Sequence, residues 1–114
     1  MSHTISKSEM RDLFDRMTGE LFGARVEVEV ESLQLGDRIE AQWLPLLGLS
    51  YDPRDDAIAI ILEGIDITIC RPREIYLDGT DNEWTALDIV DAEGMQHIVQ
   101  LKGPLKLPSL QQRI

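Results

Sequence analysis

The chain has 114 residues, with 21 acidic and 11 basic side chains and a formal net charge of −10. This length suits one domain whose core needs neither metal nor disulfide, and the single cysteine, Cys70, excludes an internal disulfide. Nucleic acid and anionic membranes would repel so acidic a chain, so we expect neither as a partner. No long apolar run or signal peptide is evident, and we expect a cytoplasmic protein.

The first element that the sequence predicts is an N-terminal helix. Ser6-Lys7-Ser8-Glu9 fits a capping box, with Ile5 and Met10 placed as a hydrophobic staple, and predicts a helix from about Lys7 to Leu21. Its apolar side chains form one stripe: Met10, Leu13, Phe14, Met17 and Leu21. We expect this stripe to cover the chain's own sheet in preference to a partner protein.

Strict alternation of valine with charged residues from Arg25 to Glu31 predicts a strand with valines on a buried face and glutamates on a solvent-exposed one. Three glutamates on one face could bind a cation, but a solvated face that discourages edge pairing is the favoured interpretation. Residues 38–44 predict the return strand, which ends or bulges at Pro45. We expect Ile39, Ala41 and Trp43 to lie on one face of this strand.

Residues 46–51 predict a further short strand, and the acidic segment Asp52–Asp56 predicts a turn. A second acidic turn follows at Asp78–Glu83. Neither has the ligand spacing of a calcium loop, so the sequence predicts no metal site in either turn.

The most hydrophobic stretch, Ala57–Cys70, predicts a hairpin around Glu63-Gly64. Counting outward from that turn pairs Leu62 with Ile65, Ile60 with Ile67, and Ile58 with Ile69 on one face. The opposite face pairs Ile61 with Asp66, Ala59 with Thr68, and Ala57 with Cys70. The first face must be buried, so the register should be firmly held.

Residues 74–77 predict a short strand, and a last hairpin is predicted around Ala92-Glu93-Gly94, between strands 84–91 and 95–103. That register pairs Leu87 with Val99, Thr85 with Leu101, and His97 with Ile89.

These elements predict an α+β fold that is mainly β. We expect an N-terminal helix packed on a curved antiparallel sheet of seven to eight short strands, a meander-like barrel or sandwich. One globular domain at residues 6–103 would lie between a flexible N-terminus at 1–5 and an extended C-terminal tail at 104–114.

The order of these elements resembles an uncharacterised bacterial family known as a domain of unknown function (family five-three-three-five). The likeness is carried by the alternating Val26–Val30, by Leu44–Asp52, by Asp56 before the Ile-rich strand, and by Pro72 followed by Ile75–Leu77. It spans nearly the whole chain, up to about residue 108. The resemblance implies a bacterial protein and supplies no catalytic residues.

Candidate site residues are few: Asp66, His97 and Cys70. Asp66 faces Ile61 in an apolar ribbon, where burial would raise its pKa, or it faces water. A Cys70–His97 thiol dyad is conceivable, but packing of Cys70 as a small apolar residue is favoured. The sequence predicts no catalytic residue, no cofactor and no metal.

We expect a non-enzymatic binding or protein-interaction module whose partner is a second copy or another protein. The alternative is a small-ligand binder or small enzyme with a carboxylate-lined cavity in the sheet. The last twenty-one residues carry +3 and the remainder −13, so the basic tail either rests on its own acidic body, which is favoured, or docks on another chain.

Overall fold

A computed structural model describes residues 2–32, 36–79 and 83–106. In chain order the elements are strand β1 (Ser2–Thr4), helix α1 (Lys7–Leu21), and strands β2 (Arg25–Ser32), β3 (Gly36–Asp52), β4 (Ala57–Leu62), β5 (Ile65–Cys70), β6 (Pro72–Gly79), β7 (Glu83–Asp91) and β8 (Gln96–Lys106). The predicted α+β, mainly β class is confirmed. At 15 residues, α1 is neither long nor apolar enough to span a bilayer, and the described part of the chain has no other helix.

The strands form one antiparallel sheet in the order β1-β6-β7-β8-β2-β3-β4-β5. The 17-residue strand β3 joins its two sections, because its first half pairs with β2 and its second half with β4. The predicted antiparallel sheet is confirmed. Among the described strands it is open and not a closed barrel, since β1 and β5 remain its two end strands.

Helix α1 begins as predicted. The Ser6 side chain accepts a hydrogen bond from the Glu9 amide, and the Glu9 carboxylate accepts one from the Ser6 amide at 3.0 Å. Ile5 and Met10 are both buried in the core, in keeping with the predicted staple. The capping box therefore fixes where the helix starts and which side of it faces the sheet.

The apolar stripe of α1 packs against β3. Phe14 is fully buried and Leu13 is half-buried, whereas the side chains of Met17 and Leu21 lie outside the described residues. Thr18 donates a hydrogen bond to the Leu49 carbonyl at 2.8 Å, which ties the end of the stripe to β3. The helix thus covers its own sheet.

The central hairpin has the predicted register at all six positions, from Leu62–Ile65 at the turn to Ala57–Cys70 at the open end. Its aliphatic face is buried except at Ile65, which is 37% exposed beside the turn. The buried side chains belong to one core cluster with the inward residues of the other strands: Val26, Val28, Leu46, Leu49, Ile75, Leu77, Leu87, Ile89, Val99 and Leu101.

The predicted face of the return strand was wrong. Val28 pairs with Ala41 but Glu29 pairs with Ile39, so Glu40 is an extra residue that reverses the alternation. Consequently Ala41 is 3% exposed and Ile39 is 49% exposed. A second irregularity follows around Trp43, whose φ is +54°, and the strand then continues past Pro45 to Asp52.

The last hairpin pairs Leu87 with Val99 and Ile89 with His97, as predicted. The predicted pair Thr85–Leu101 does not form, because the register shifts between Trp84 and Ala86. Residues 104–106 of the predicted tail lie in β8, and residues 107–114 lie outside the described residues.

At the other terminus, residues Ser2–Thr4 pair with β6, although the sequence places them in a flexible segment. The glutamates of β2 do not protect a sheet edge from pairing with another chain, because β2 lies between β8 and β3.

Candidate functional site

The side of the sheet away from the core presents three rows of side chains across strands β3, β2, β8, β7 and β6, here called the outer face. The first row is Ile39, Glu29, Ile98, Asp88 and Tyr76. The second row is Asp37, Glu31, Gln96, Val90 and Glu74. The third row is Glu27, Gln100, Ala86 and Asp78. Alternation along each strand places these residues opposite the buried ones.

Seven of these fourteen positions are carboxylates, and none is lysine or arginine. Arg25 lies one position beyond the third row on β2, where its guanidinium donates to the Trp43 carbonyl at 3.1 Å. In the described structure no ion pair neutralises Glu29, Glu31, Asp37 or Asp88. The outer face is therefore a concentrated negative surface on interior strands.

The carboxylates crowd most closely at one end of this face. One oxygen from each of Glu29, Glu31 and Asp37 lies within 4.8 Å of the others. Partial desolvation, together with the charges of Asp37, Glu29 and Asp88, raises the pKa of Glu31 above its usual value. These three residues have the oxygen ligands that a hard cation prefers, and their mutual repulsion shows that a positive charge would be stabilised there.

A groove of about 420 Å³ lies beside this cluster, lined by Tyr76, Asp78, Ala86, Asp88 and Ile98. Oδ2 of Asp88 accepts a hydrogen bond from Gln96 Nε2 at 2.6 Å, while Oδ1 is enclosed and has no partner. An enclosed carboxylate oxygen without a partner is costly, which makes Asp88 the least satisfied acid of the groove.

The Tyr76 ring forms one wall of the groove. Its hydroxyl donates to Glu74 Oε2 at 2.8 Å, and this bond raises the pKa of Tyr76.

His97 faces the core and binds Asp91, a residue that sequence reasoning missed. An ionised carboxylate only accepts hydrogen bonds, so His97 Nε2 donates to Asp91 Oδ2, at 2.9 Å. The other carboxylate oxygen accepts the amides of Glu93 and Met95, while His97 Nδ1 is enclosed without a partner.

Burial alone raises the pKa of Asp91, but the hydrogen bonds from His97 and from the Met95 and Glu93 amides outweigh it and lower the pKa below its usual value. The pair holds the last hairpin loop. The signal available in the sequence was an aspartate immediately before a short Gly-containing loop, which commonly accepts the loop's amides.

A third polar cluster joins α1 to the first acidic turn. Lys7 Nζ donates to both oxygens of Asp56, at 2.8 and 3.0 Å, and the Tyr51 hydroxyl donates to Oδ1 at 2.6 Å. These bonds lower the pKa of Asp56 and raise the pKa of Tyr51 to about 12. A smaller pocket of about 320 Å³ lies beside it, lined by Lys7, Ser8, Arg11, Asp12, Tyr51 and Pro53.

The cluster accounts for part of the acidic turn predicted at residues 52–56, since Asp56 is neutralised by a lysine and Asp52 accepts the Arg54 amide. Asp56 has a φ of +50°, which its position in this tight turn imposes. The turn is built as a structural joint between helix and sheet.

The three residues singled out from the sequence are not brought together. Cys70 is exposed on the end strand β5, four strands from His97, which is buried on β8. Asp66 is also exposed and faces water opposite Ile61. Neither of the two pockets is lined by any of them.

Comparison with known proteins gives a family but no activity. An uncharacterised protein of Aquifex aeolicus (strain VF5) is 38% identical over 105 residues, which cover 91% of this chain and 95% of that protein. No solved structure matches the chain. A model of a family of unknown function, DUF5335, matches residues 1–110. The chain therefore belongs to the family of unknown function DUF5335.

Proposed function

We propose that this protein is a non-enzymatic binding module whose outer face binds a positively charged segment of a partner protein. The main support is the composition of that face, where seven of the fourteen positions are carboxylates, none is lysine or arginine, and Glu31 lies directly opposite Asp37. Like charges on neighbouring strands destabilise a sheet. A bound cationic partner would remove that repulsion.

The size of the face favours a protein segment over a single small cation. The first two rows cross five strands, which corresponds to roughly 19 Å at about 4.8 Å per strand spacing. Apolar side chains lie among the acids, with Ile39 exposed and Val90 and Ile98 half-buried. An extended segment could therefore bury apolar surface while its basic residues meet the carboxylates.

The alternative of a small enzyme has less support. A nucleophilic cysteine needs a base within hydrogen-bond reach, and Cys70 and His97 are four strands apart. The groove on the outer face is lined by two carboxylates, Asp78 and Asp88. It is open on a sheet face and has no histidine or cysteine among its lining residues, which suits binding better than catalysis.

The test uses a fluorescently labelled peptide of alternating lysine and serine, long enough to cross the five strands, and a glutamate–serine peptide as its control. We expect binding of the lysine peptide only. The affinity should fall steeply as ionic strength rises from about 0.01 to 0.15 M, where the Debye length shrinks from roughly 30 to 8 Å.

Two double variants with the same change in net charge test whether the peptide binds at the outer face. Glu29→Gln/Glu31→Gln removes two charges from the outer face, and Asp15→Asn/Asp55→Asn removes two exposed charges elsewhere. We expect the first pair to lose most of the affinity and the second to keep it. Equal losses would mean that only net charge matters, and absent binding of the lysine peptide to the unmodified protein would also contradict the proposal.

A further inference from the structure

The groove on the outer face has an apolar floor between polar walls. Ala86 is the smallest side chain of its row and lies between Gln100 and Asp78, which leaves a depression beside Ile98 of the next row. Its volume of about 420 Å³ exceeds that of a single amino-acid side chain. The floor suits an aliphatic stem.

Two carboxylates border this floor. Asp78 on β6 and Asp88 on β7 occupy diagonal positions of neighbouring strands, for which Cα separations are roughly 7–8 Å. One Asp88 oxygen accepts a hydrogen bond from Gln96 and the other is enclosed without a partner, so no cation among the described residues neutralises this carboxylate. The same charge reaches Glu31 and contributes to the repulsion there.

The third wall is aromatic. Tyr76 lies opposite Asp88 in the first row, and its hydroxyl donates a hydrogen bond to Glu74 at 2.8 Å. A cation placed over a tyrosine face gains a further attraction, and a planar guanidinium stacks on such a ring more effectively than an ammonium group does.

From this arrangement we infer that the groove is a subsite for one arginine side chain of the basic partner segment. The planar guanidinium lies against the Tyr76 ring and between Asp78 and Asp88, and the aliphatic stem covers Ala86 and Ile98. A guanidinium offers five donors in a fixed fork, whereas a lysine ammonium is a strongly hydrated point charge. A hydrated divalent cation is a poorer occupant, because it takes six or more oxygen ligands and the floor offers none.

This inference rests on the proposed function and deepens it. Its test compares the lysine–serine peptide with an arginine–serine peptide of the same length and charge. We expect the arginine peptide to bind about tenfold more tightly, the factor that roughly 1.4 kcal/mol from one charge-assisted contact provides.

Three variants test whether the groove causes the preference for the arginine peptide over the lysine peptide. Asp88→Asn preserves the shape of the side chain and should abolish the preference for arginine while lysine binding persists. Tyr76→Phe should keep the preference and Tyr76→Leu should weaken it, because only the ring is needed for stacking. The control Glu29→Gln/Glu31→Gln should weaken both peptides by the same factor and leave their ratio unchanged.

The outcomes separate this inference from the proposed function. Equal binding of both peptides to the unmodified protein overturns the arginine subsite and leaves the acidic binding face in place, whereas failure of both peptides overturns the face itself. Retention of the preference in Asp88→Asn also overturns the subsite.

Discussion

The central hairpin and the outer face obey the same alternation of side chains but have opposite energetic consequences. In the hairpin, β4 and β5 bring isoleucine and leucine together across one local turn, and five of those six side chains are buried. On the outer face, the consecutive strands β2 and β3 bring Glu29, Glu31 and Asp37 together, and the distant strand β7 adds Asp88 to the charges that repel Glu31.

Folding depends on burial of the aliphatic hairpin face, whereas it gains nothing from the like charges of the outer face. Burying each of the hairpin side chains contributes roughly 1.5–3 kcal/mol to folding. Placing like charges on adjacent strands works against folding, so stability does not explain the outer face. Unfavourable features of this kind are expected at functional sites, which is why we propose the binding role for this surface.

The largest effect should come from the hairpin. Ile60 is fully buried, so Ile60→Asp places a charge in the core and should destabilise the domain by more than about 4 kcal/mol, enough to unfold it. Thr68→Asp, on the exposed side of the same hairpin, is the control and should leave the thermal transition near its original temperature. A cooperative transition in Ile60→Asp by circular dichroism would contradict the assigned core.

A smaller loss of stability is expected when the buried Asp91–His97 pair of the last hairpin is broken. Asp91→Ala leaves His97 Nε2 and two loop amides without an acceptor and should cost roughly 3 kcal/mol, measured by urea unfolding. The lowered pKa of Asp91 contributes stability above the usual value of 3.8 that is lost as the pH falls through the folded-state pKa. The variant should therefore lose less stability on acidification than the unmodified protein does.

The joint between helix and sheet should show the opposite pH dependence. The pKa of Tyr51 is raised from 10.0 to about 12, so its contribution is complete below pH 10 and is lost as the pH rises through 12. Tyr51→Phe should cost about 1 kcal/mol at neutral pH, the typical value of one hydrogen bond. In urea unfolding from pH 9 upward, the gap between variant and unmodified protein should close, and a constant gap would contradict the assigned bond.

The smallest change in stability is predicted on the outer face, where removing a charge should stabilise the protein. Because the pKa of Glu31 is raised in the folded state, stability is complete below the usual value of 4.5 and declines as the pH rises through the folded-state pKa. Glu31→Gln should therefore raise the urea midpoint slightly at neutral pH and have no such effect in acid. Glu63→Gln, at the exposed hairpin turn, should leave the midpoint unchanged at both pH values.

Local signals predicted the helix and the hairpin fully. The capping box at Ser6–Glu9 involves neighbouring residues only, and the Glu63-Gly64 turn sets its own register by counting. Gly64 has the positive φ of +93° that such a turn requires. Interactions of this kind are encoded within a few residues, so the sequence suffices to predict them.

The outer face could not be predicted in this way. Its rows depend on the pairing of β2 with β8, strands some seventy residues apart, and on the extra residue Glu40 in β3. An extra residue reverses which side chains face the core, and no local pattern marks it, since Ile39 and Ala41 are both apolar. The glutamates of β2 were seen in the sequence, but their acidic neighbours Asp37 and Asp88 were not assigned to the same surface.

Amide chemical-shift mapping of the ¹⁵N-labelled protein, titrated with the arginine–serine peptide, would locate the bound peptide on the sheet. We expect the shift changes to be concentrated on the strands of the outer face, β2, β8, β7 and β6. Those near Asp88 should be the largest, and the amides of helix α1 should be unchanged. Shifts centred on α1 or on the hairpin β4–β5, with the outer face unperturbed, would contradict the claim that this acidic surface is the binding site.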